Sequence, residues 1–208
     1  TCMEQGIRIV TNAGAANPRA AGVLVAGLAR SLGLRPRVAV VTGDDVLDTL
    51  DDPTALSANA YLGSAPIVAA LDQGADVVLT GRVADASLFA APILHAHRWP
   101  PDDWVKVAHA LVAGHLLECA GQLTGGYFAD PGVHDVAGLA ELGFPYADVS
   151  VDGAVEVSKV PGSGGVVDVR TCSQQLLYEV HDPARYVTPD AVVDLSNVEL
   201  REVGPDRV

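Results

Sequence analysis

Three stretches of the chain share one pattern, in which a short apolar run is followed by a polar turn that contains threonine. They are VTNAGAANPR (residues 10–19), VVTGDD (residues 40–45) and VLTGRVADAS (residues 78–87). The apolar runs are short and rich in valine, which is typical of buried strands. Asn17 before Pro18 is typical of a helix start, because asparagine caps helices and proline is tolerated in the first turn. The pattern predicts strands that end in polar turns.

Strands and helices are expected to alternate through this part of the chain. We predict elements at residues 7–10 (strand), 18–32 (helix), 38–42 (strand), 65–74 (helix) and 76–80 (strand). Strands joined by helices pair in parallel through right-handed crossovers. We therefore expect the strands near residues 7–10, 38–41 and 76–79 to lie parallel in one sheet, with Thr11, Thr42 and Thr80 at the same edge.

The order of predicted elements changes in the remainder of the chain. We predict helices at residues 85–95, from Asp102 or Asp103 through Gln122, and at about 172–180, with strands at 147–151, 154–159 and near 192–202. The predicted fold is α/β, with a mostly parallel sheet, flanking helices and a more β-rich C-terminal portion. We expect a single α/β core domain over residues 1–208, with a soft subdivision near residue 130. An abrupt start at Thr1 indicates part of a longer chain.

Composition excludes several classes of partner. Thirteen basic and 26 acidic residues give a net charge of −13, the wrong sign for nucleic acid or an anionic membrane surface. No stretch approaches the roughly 20 apolar residues that span a bilayer. Three cysteines without a C-x-x-C pair fit a reducing cytoplasm. We expect a cytoplasmic protein that binds a small molecule, and the composition leaves a homo-oligomer open.

The carboxyl ends of the predicted strands form a candidate ligand site, because ligands of parallel α/β sheets bind at that edge. The candidate ligand-binding residues there are Asn12, Asn17, Arg19, Asp44, Asp45, Thr80 and Arg82. The alternative is that Thr-Gly and Asn-Ala-Gly are ordinary turn formers. Arg82 is the sharpest candidate, since its guanidinium can clamp a carboxylate or phosphate. It could equally pair with Asp85, which is itself a candidate for moving protons.

A second candidate group lies on one predicted helix face. The stretch HLLECAGQ places His115, Glu118, Cys119 and Gln122 at helical spacing, so that all four share a face. His115 and Glu118 are candidates for acid–base catalysis. The alternatives are a metal site and a buried polar seam. We predict no metal, because the sequence offers too few partner ligands elsewhere.

A glycine-rich stretch, KVPGSGG, resembles a phosphate-binding loop only loosely. Lys159 precedes the glycines, whereas a P-loop lysine follows them. Lys159 and the amides of residues 163–165 remain candidates for holding an anion. The chain has neither a G-x-G-x-x-G fingerprint nor a G-x-S-x-G elbow. We therefore expect no cofactor.

Taken together, these stretches resemble a known family. The resemblance is carried by IVTNAGAANPRAAG, VAVVTGDDV, NAYLGSAPIVAAL, VVLTGRVADASL, AGHLLECAGQLTGGYFAD, GFPYADV, KVPGSGGVV and QQLLYEVHDPARYVTPD. The chain is similar, over nearly its whole length, to the acyclic terpene utilisation family AtuA. That resemblance implies a bacterial protein of citronellol and geraniol breakdown, which proceeds through acyl-CoA thioesters. The family provides no agreed catalytic residues to carry over.

The sequence leaves two hypotheses for function. In the first, the protein acts in acyclic terpenoid or branched acyl-CoA catabolism, as a cofactor-free lyase or hydratase on an acyl-CoA or carboxylate. Arg82 would orient the substrate, and His115 or Asp85 would move protons. In the second, it is a non-catalytic subunit that binds a metabolite or a partner.

Overall fold

The computed structural model describes residues 2–208, which form two compact units. The first unit ends at Pro101 and the second is Asp102–Val208. The single domain with a subdivision near residue 130 stays a prediction.

The first unit contains a parallel sheet of three short strands. Its elements are β1 (Ile9–Thr11), α1 (Pro18–Ser31), β2 (Val38–Val41), α2 (Ala65–Asp72), β3 (Val77–Thr80) and α3 (Asp85–His97). The strand order is β1-β3-β2, and both pairings are parallel. Thr11 pairs with Leu79, and Val41 with Thr80, so the three polar turns begin at the same edge of the sheet. The predicted parallel sheet and shared edge are confirmed.

The sheet forms the core of this unit. All four residues of β3 are buried, because it is the central strand. Helices α2 and α3 pack on each other and contribute to one apolar cluster with the sheet. Helix α1 packs on β2 through Gly22, where an added Cβ would lie 2.5 Å from Val40 Cγ2. A glycine at this position lets the helix approach the strand closely.

The second unit combines helices with two-stranded antiparallel sheets. Its elements are α4 (Trp104–Leu117), β4 (Pro145–Val149), β5 (Val155–Lys159), α5 (Val169–Leu177), β6 (Tyr186–Val187) and β7 (Val192–Val193). The β4–β5 and β6–β7 pairs are antiparallel. A mostly parallel sheet is therefore correct for the first unit only. The strands β4 to β7 of the second unit form two separate two-stranded sheets.

Several predicted boundaries in this unit are wrong. Strand β4 is Pro145–Val149 and not 147–151, and α5 ends at Leu177 and not near residue 180. Helix α4 ends at Leu117 and not at Gln122, and Ala120 then takes a left-handed φ of 48°. Helix α5 begins at Val169 and not near residue 172, because Asp168 forms a capping box with Thr171. Of the tract at residues 192–202, only Val192–Val193 is a strand.

The longest helices, α1 and α4, have 14 residues each. Within residues 2–208, no helix has the length and apolar character needed to cross a membrane.

Candidate functional site

The three polar turns meet at the carboxyl edge of the β1-β3-β2 sheet, and side chains link them. Asn12 Nδ2 donates to Asp85 Oδ1 at 3.1 Å, which joins the turn after β1 to the start of α3. Arg19 Nη2 donates to Thr42 Oγ1 at 3.4 Å, which joins α1 to the end of β2. We call this group of turns the rim. The structure therefore brings together the candidate residues of all three stretches.

Two glycines allow the rim to close this tightly. An added Cβ at Gly14 would lie 2.4 Å from the carbonyl oxygen of Thr80. An added Cβ at Gly81 would lie 2.3 Å from a carboxylate oxygen of Asp44. Both distances are far below a van der Waals contact, so a larger side chain would push the turns apart. The glycines of the repeated pattern are needed because the turns touch each other.

Asp44 is the buried centre of the rim, with only 4% of its surface exposed. Its Oδ2 accepts the backbone N–H of Arg82 at 2.8 Å and Nδ2 of Asn59 at 3.0 Å. The carboxylate therefore ties the turn after β2 to the turn after β3. Sequence reasoning missed Asn59, because it lies 15 positions away in an irregular segment. The backbone bridge between Asp45 and Asn59 that brings it near has no sequence signal.

Arg82 itself is exposed at this edge. Across residues 2–208 its guanidinium makes no hydrogen bond and no ion pair, although its backbone is held by Asp44. The alternative pairing with Asp85 is not formed, since Asp85 accepts the Asn12 amide. The structure thus leaves a fixed positive charge at the rim without a partner.

A pocket of about 300 Å³ opens beside the rim, between the start of α1 and the turn after β2. Asn17, Arg19, Asp44 and Asp45 line it, together with Thr42 and Asn59. Apolar side chains, Leu47 and Leu56 among them, line another part. The pocket therefore offers polar groups and apolar surface to the same ligand.

Several candidate side chains are already used in building the turns. Asn17 Oδ1 caps α1 by accepting the N–H of Ala20 at 3.0 Å. Asp45 Oδ1 accepts the N–H of Leu47 at 3.1 Å. Thr80 is fully buried and donates to the carbonyl oxygen of Gly81 at 3.0 Å. These residues shape the rim, whereas Arg82 and the second carboxylate oxygen of Asp85 remain available.

His115 lies in α4 of the second unit and is 2% exposed. Its Nε2 lies 3.2 Å from the carbonyl oxygen of Leu176, which can only accept a hydrogen bond. Its Nδ1 lies 2.9 Å from Glu118 Oε1 and 3.3 Å from the hydroxyl of Tyr186. Nε2 must therefore carry a proton. Nδ1 lies within hydrogen-bond reach of both of its partners, so both ring nitrogens are engaged within the second unit.

The backbone of His115 is also bound, because Gln175 Nε2 donates to its carbonyl oxygen at 2.9 Å. His115 and Glu118 are thus brought together as predicted from their spacing, but both ring nitrogens are already bonded. Sequence reasoning missed Gln175 and Tyr186, which come from α5 and β6. The arrangement braces α4 against α5.

Lys159 is 6% exposed at the end of β5. Its Nζ donates to the carbonyl oxygen of Ser163 at 2.8 Å and pairs with Asp206 Oδ2 at 3.2 Å. Both contacts hold the glycine-rich stretch against the C-terminal segment. The lysine charge is therefore compensated within the second unit.

Within residues 2–208, no group of three or more His, Cys, Asp or Glu side chains is placed to hold a metal. Burial raises the pKa of the Cys172 thiol to about 12, which keeps it protonated and unreactive.

The model of one protein family matches the chain from residue 1 to residue 208, under the description acyclic terpene utilisation family protein AtuA. The chain belongs to the acyclic terpene utilisation family AtuA. The resemblance noted in the sequence is thereby confirmed. Membership of this family implies a role in the utilisation of acyclic terpenes. No curated protein and no solved structure matches the chain.

Proposed function

We propose that the rim binds the anionic end of a branched carboxylate or acyl-CoA thioester in acyclic terpene catabolism. The observation that carries this proposal is the unpartnered guanidinium of Arg82, which lies at the carboxyl edge of a parallel sheet. A guanidinium binds carboxylate or phosphate through two parallel hydrogen bonds and keeps its charge at physiological pH.

The pocket beside the rim, which Arg82 and Asp85 do not themselves line, supports an amphipathic ligand. Arg19 lines the pocket and adds a second positive charge at the start of α1, where the helix dipole also favours an anion. Leu47 and Leu56 line the same pocket and offer apolar surface. A branched hydrocarbon chain with an anionic end fits this combination.

Asp85 is the residue we propose for proton transfer. One of its oxygens accepts the Asn12 amide, which orients the carboxylate and leaves the other oxygen free. In a hydratase, the oxygen of water would bond to the β-carbon of an enoyl thioester while Asp85 takes the released proton and returns it to the α-carbon. Arg82 would hold the carboxylate or thioester end. His115 receives no role here, because both of its ring nitrogens are bonded.

The second candidate function is a non-catalytic subunit that binds the same class of metabolite. The observation in its favour is that the side chains of Asn17, Asp44 and Asp45 already form hydrogen bonds within the rim. Asp85 is then the main group left for chemistry. Turnover of branched enoyl- and hydroxyacyl-CoA thioesters separates the two functions, because a binding subunit retains affinity without turnover.

The test is calorimetric titration of the protein with branched carboxylates and acyl-CoA thioesters. Arg82→Ala should weaken binding roughly 10- to 150-fold, since a charge-assisted bidentate contact contributes about 1.5–3 kcal/mol. Arg82→Lys should recover little, because an ammonium lacks the planar fork. Arg30→Ala, at the opposite end of α1 from the pocket, removes the same charge and is the matched control. Unchanged affinity in Arg82→Ala refutes the proposal.

If binding is found, Asp85→Asn decides between the two functions. The asparagine keeps the bond with Asn12 but cannot take a proton. Loss of turnover with retained affinity supports the enzyme, whereas wild-type protein that binds without turnover supports the subunit.

A further inference from the structure

Strand β2 is an open edge of the parallel sheet, because β3 pairs with it on one side only. The carbonyls of Arg37 and Val41 point toward β3, where they accept the N–H groups of Asp76 and Gly81. Since a strand alternates the direction of its backbone groups, Val38 and Val40 direct theirs outward. A groove of about 650 Å³ runs along this edge beside α2.

The edge strand is short, with four residues, but its sequence has no other feature that protects an edge from pairing. Its sequence is Val38-Ala39-Val40-Val41, with no lysine, no proline and no inward charge. Small residues of α2, including Pro66 and Ala69, border the groove, with Arg37 and Gln73 also among the residues that line it. Such an edge is built to accept another strand.

The charges around β2 select the partner. Residues 5–43 contain five arginines and no Asp or Glu, in a chain of net charge −13. Arg35 and Arg37 precede the strand, whereas Asp45 and Asp48 follow it, and all four are exposed. Within the described residues, Arg35 makes no hydrogen bond or ion pair. Arg37 already pairs with Asp76 at 3.9 Å, and Arg19 donates to Thr42 at the other end. The opposed charges along the strand are therefore Arg35 at its start and Asp45 and Asp48 after its end.

We propose that this edge pairs with β2 of a second copy of the chain, antiparallel and across a two-fold axis. Antiparallel pairing places the positive end of each strand beside the negative end of the other, so that Arg35 of one copy faces the Asp45 side of its partner. Parallel pairing would place like charges together. A two-fold interface uses the same patch on both copies, and this strand complements itself. The two sheets then form one continuous sheet of six strands.

Sedimentation velocity over a range of protein concentrations tests the proposal. Wild-type protein should dimerise, and Arg35→Asp and Asp45→Arg should each weaken the dimer by about tenfold, because each change creates like-charge contacts at both symmetric positions. The double variant Arg35→Asp/Asp45→Arg should restore the dimer, since it recreates opposite charges across the axis. Thermal melts of each variant check that the fold is retained.

Specific results of these experiments would overturn the proposed dimer or its register. Wild-type protein that stays monomeric at every concentration overturns the proposal, and so does a dimer that is insensitive to both charge reversals. A dimer that is insensitive to both charge reversals is expected if copies meet through another surface, such as the exposed leucines of α1 and its C-cap (Leu24, Leu28 and Leu32). Failure of the double variant to restore the dimer overturns the antiparallel register.

Discussion

The rim is most sharply tested by adding a single methyl group at Gly81. Its φ lies outside the left-handed region, so that an alanine backbone fits there. The new Cβ, however, would lie 2.3 Å from Asp44 Oδ1 and 2.7 Å from Oδ2. Asp44 has a short side chain and is 4% exposed, so it has little room to move aside. Gly81→Ala should therefore displace the carboxylate from its present position.

The expected loss of folding stability follows from the hydrogen bonds that Asp44 would lose. Its Oδ2 accepts the Arg82 N–H at 2.8 Å and the Asn59 amide at 3.0 Å. A hydrogen bond to a charged group contributes about 1.5–3 kcal/mol. The Asn59 bond counts for less, because that residue is exposed. We expect Gly81→Ala to lower the free energy of unfolding by about 2–4 kcal/mol.

Urea denaturation followed by circular dichroism measures this change. Gly27→Ala is the matched control, because an added Cβ in α1 would meet only Arg30, at 3.9 Å. That substitution should stabilise the helix by about 0.5–1 kcal/mol. The double variant Gly81→Ala/Asp44→Ala should be no less stable than Asp44→Ala alone, since the clash is gone. Wild-type stability in Gly81→Ala, or additive losses in the double variant, would refute the reasoning.

Three further predictions concern the second unit and the thiols. Asp168→Ala should lower the free energy of unfolding by about 1 kcal/mol near neutral pH, because Asp168 caps α5. Burial raises the pKa of Asp168, but the hydrogen bonds from Arg170 and from the backbone outweigh burial and hold the pKa below 3.8. In urea melts from about pH 6 to about pH 2, the difference in stability between wild type and variant should therefore shrink as the pH falls. His115→Phe should cost about 3 kcal/mol by the same melts, since it leaves the buried partners of the ring without bonds. An alkylating agent at about pH 8 should label the exposed Cys2 and spare Cys172 in native protein, as mass spectrometry would show, because the pKa of Cys172 is about 12.

The parallel sheet was predictable because its signals are local. Short valine-rich runs separated by helix-length segments restrict the strands to parallel pairing, and the turn residues identify their carboxyl ends. Boundaries in the second unit were harder, because side-chain caps decide them. Asp168 starts α5 at Val169 through a capping box, although the apolar spacing suggested a later start. Periodicity carries no information about such a bond.

The candidate site was predictable only as a set of residues. The sequence places Asn12, Arg82 and Asp85 at strand ends, but it does not show which side chains bond each other. The sequence offers Arg82, three positions away, as a partner for Asp85, whereas in the fold Asp85 accepts a hydrogen bond from Asn12. Asn59 and Tyr186 were missed for a related reason, since long-range contacts bring them to Asp44 and His115. Spacing arguments do not reach across such distances.

Turn formation and the proposed ligand binding, which the sequence presents as alternatives, are compatible in one arrangement at the rim. Asn17, Asp44 and Asp45 satisfy backbone N–H groups, and those bonds fix the turns in one conformation. Asp44 accepts a hydrogen bond from the backbone N–H of Arg82, so the backbone that carries the guanidinium is held in place. A ligand that binds a group held in this way has less conformational entropy to overcome. Under the proposed function, the residues that shape the turns therefore also contribute to affinity, and Asp44→Asn should weaken the binding that Arg82 provides.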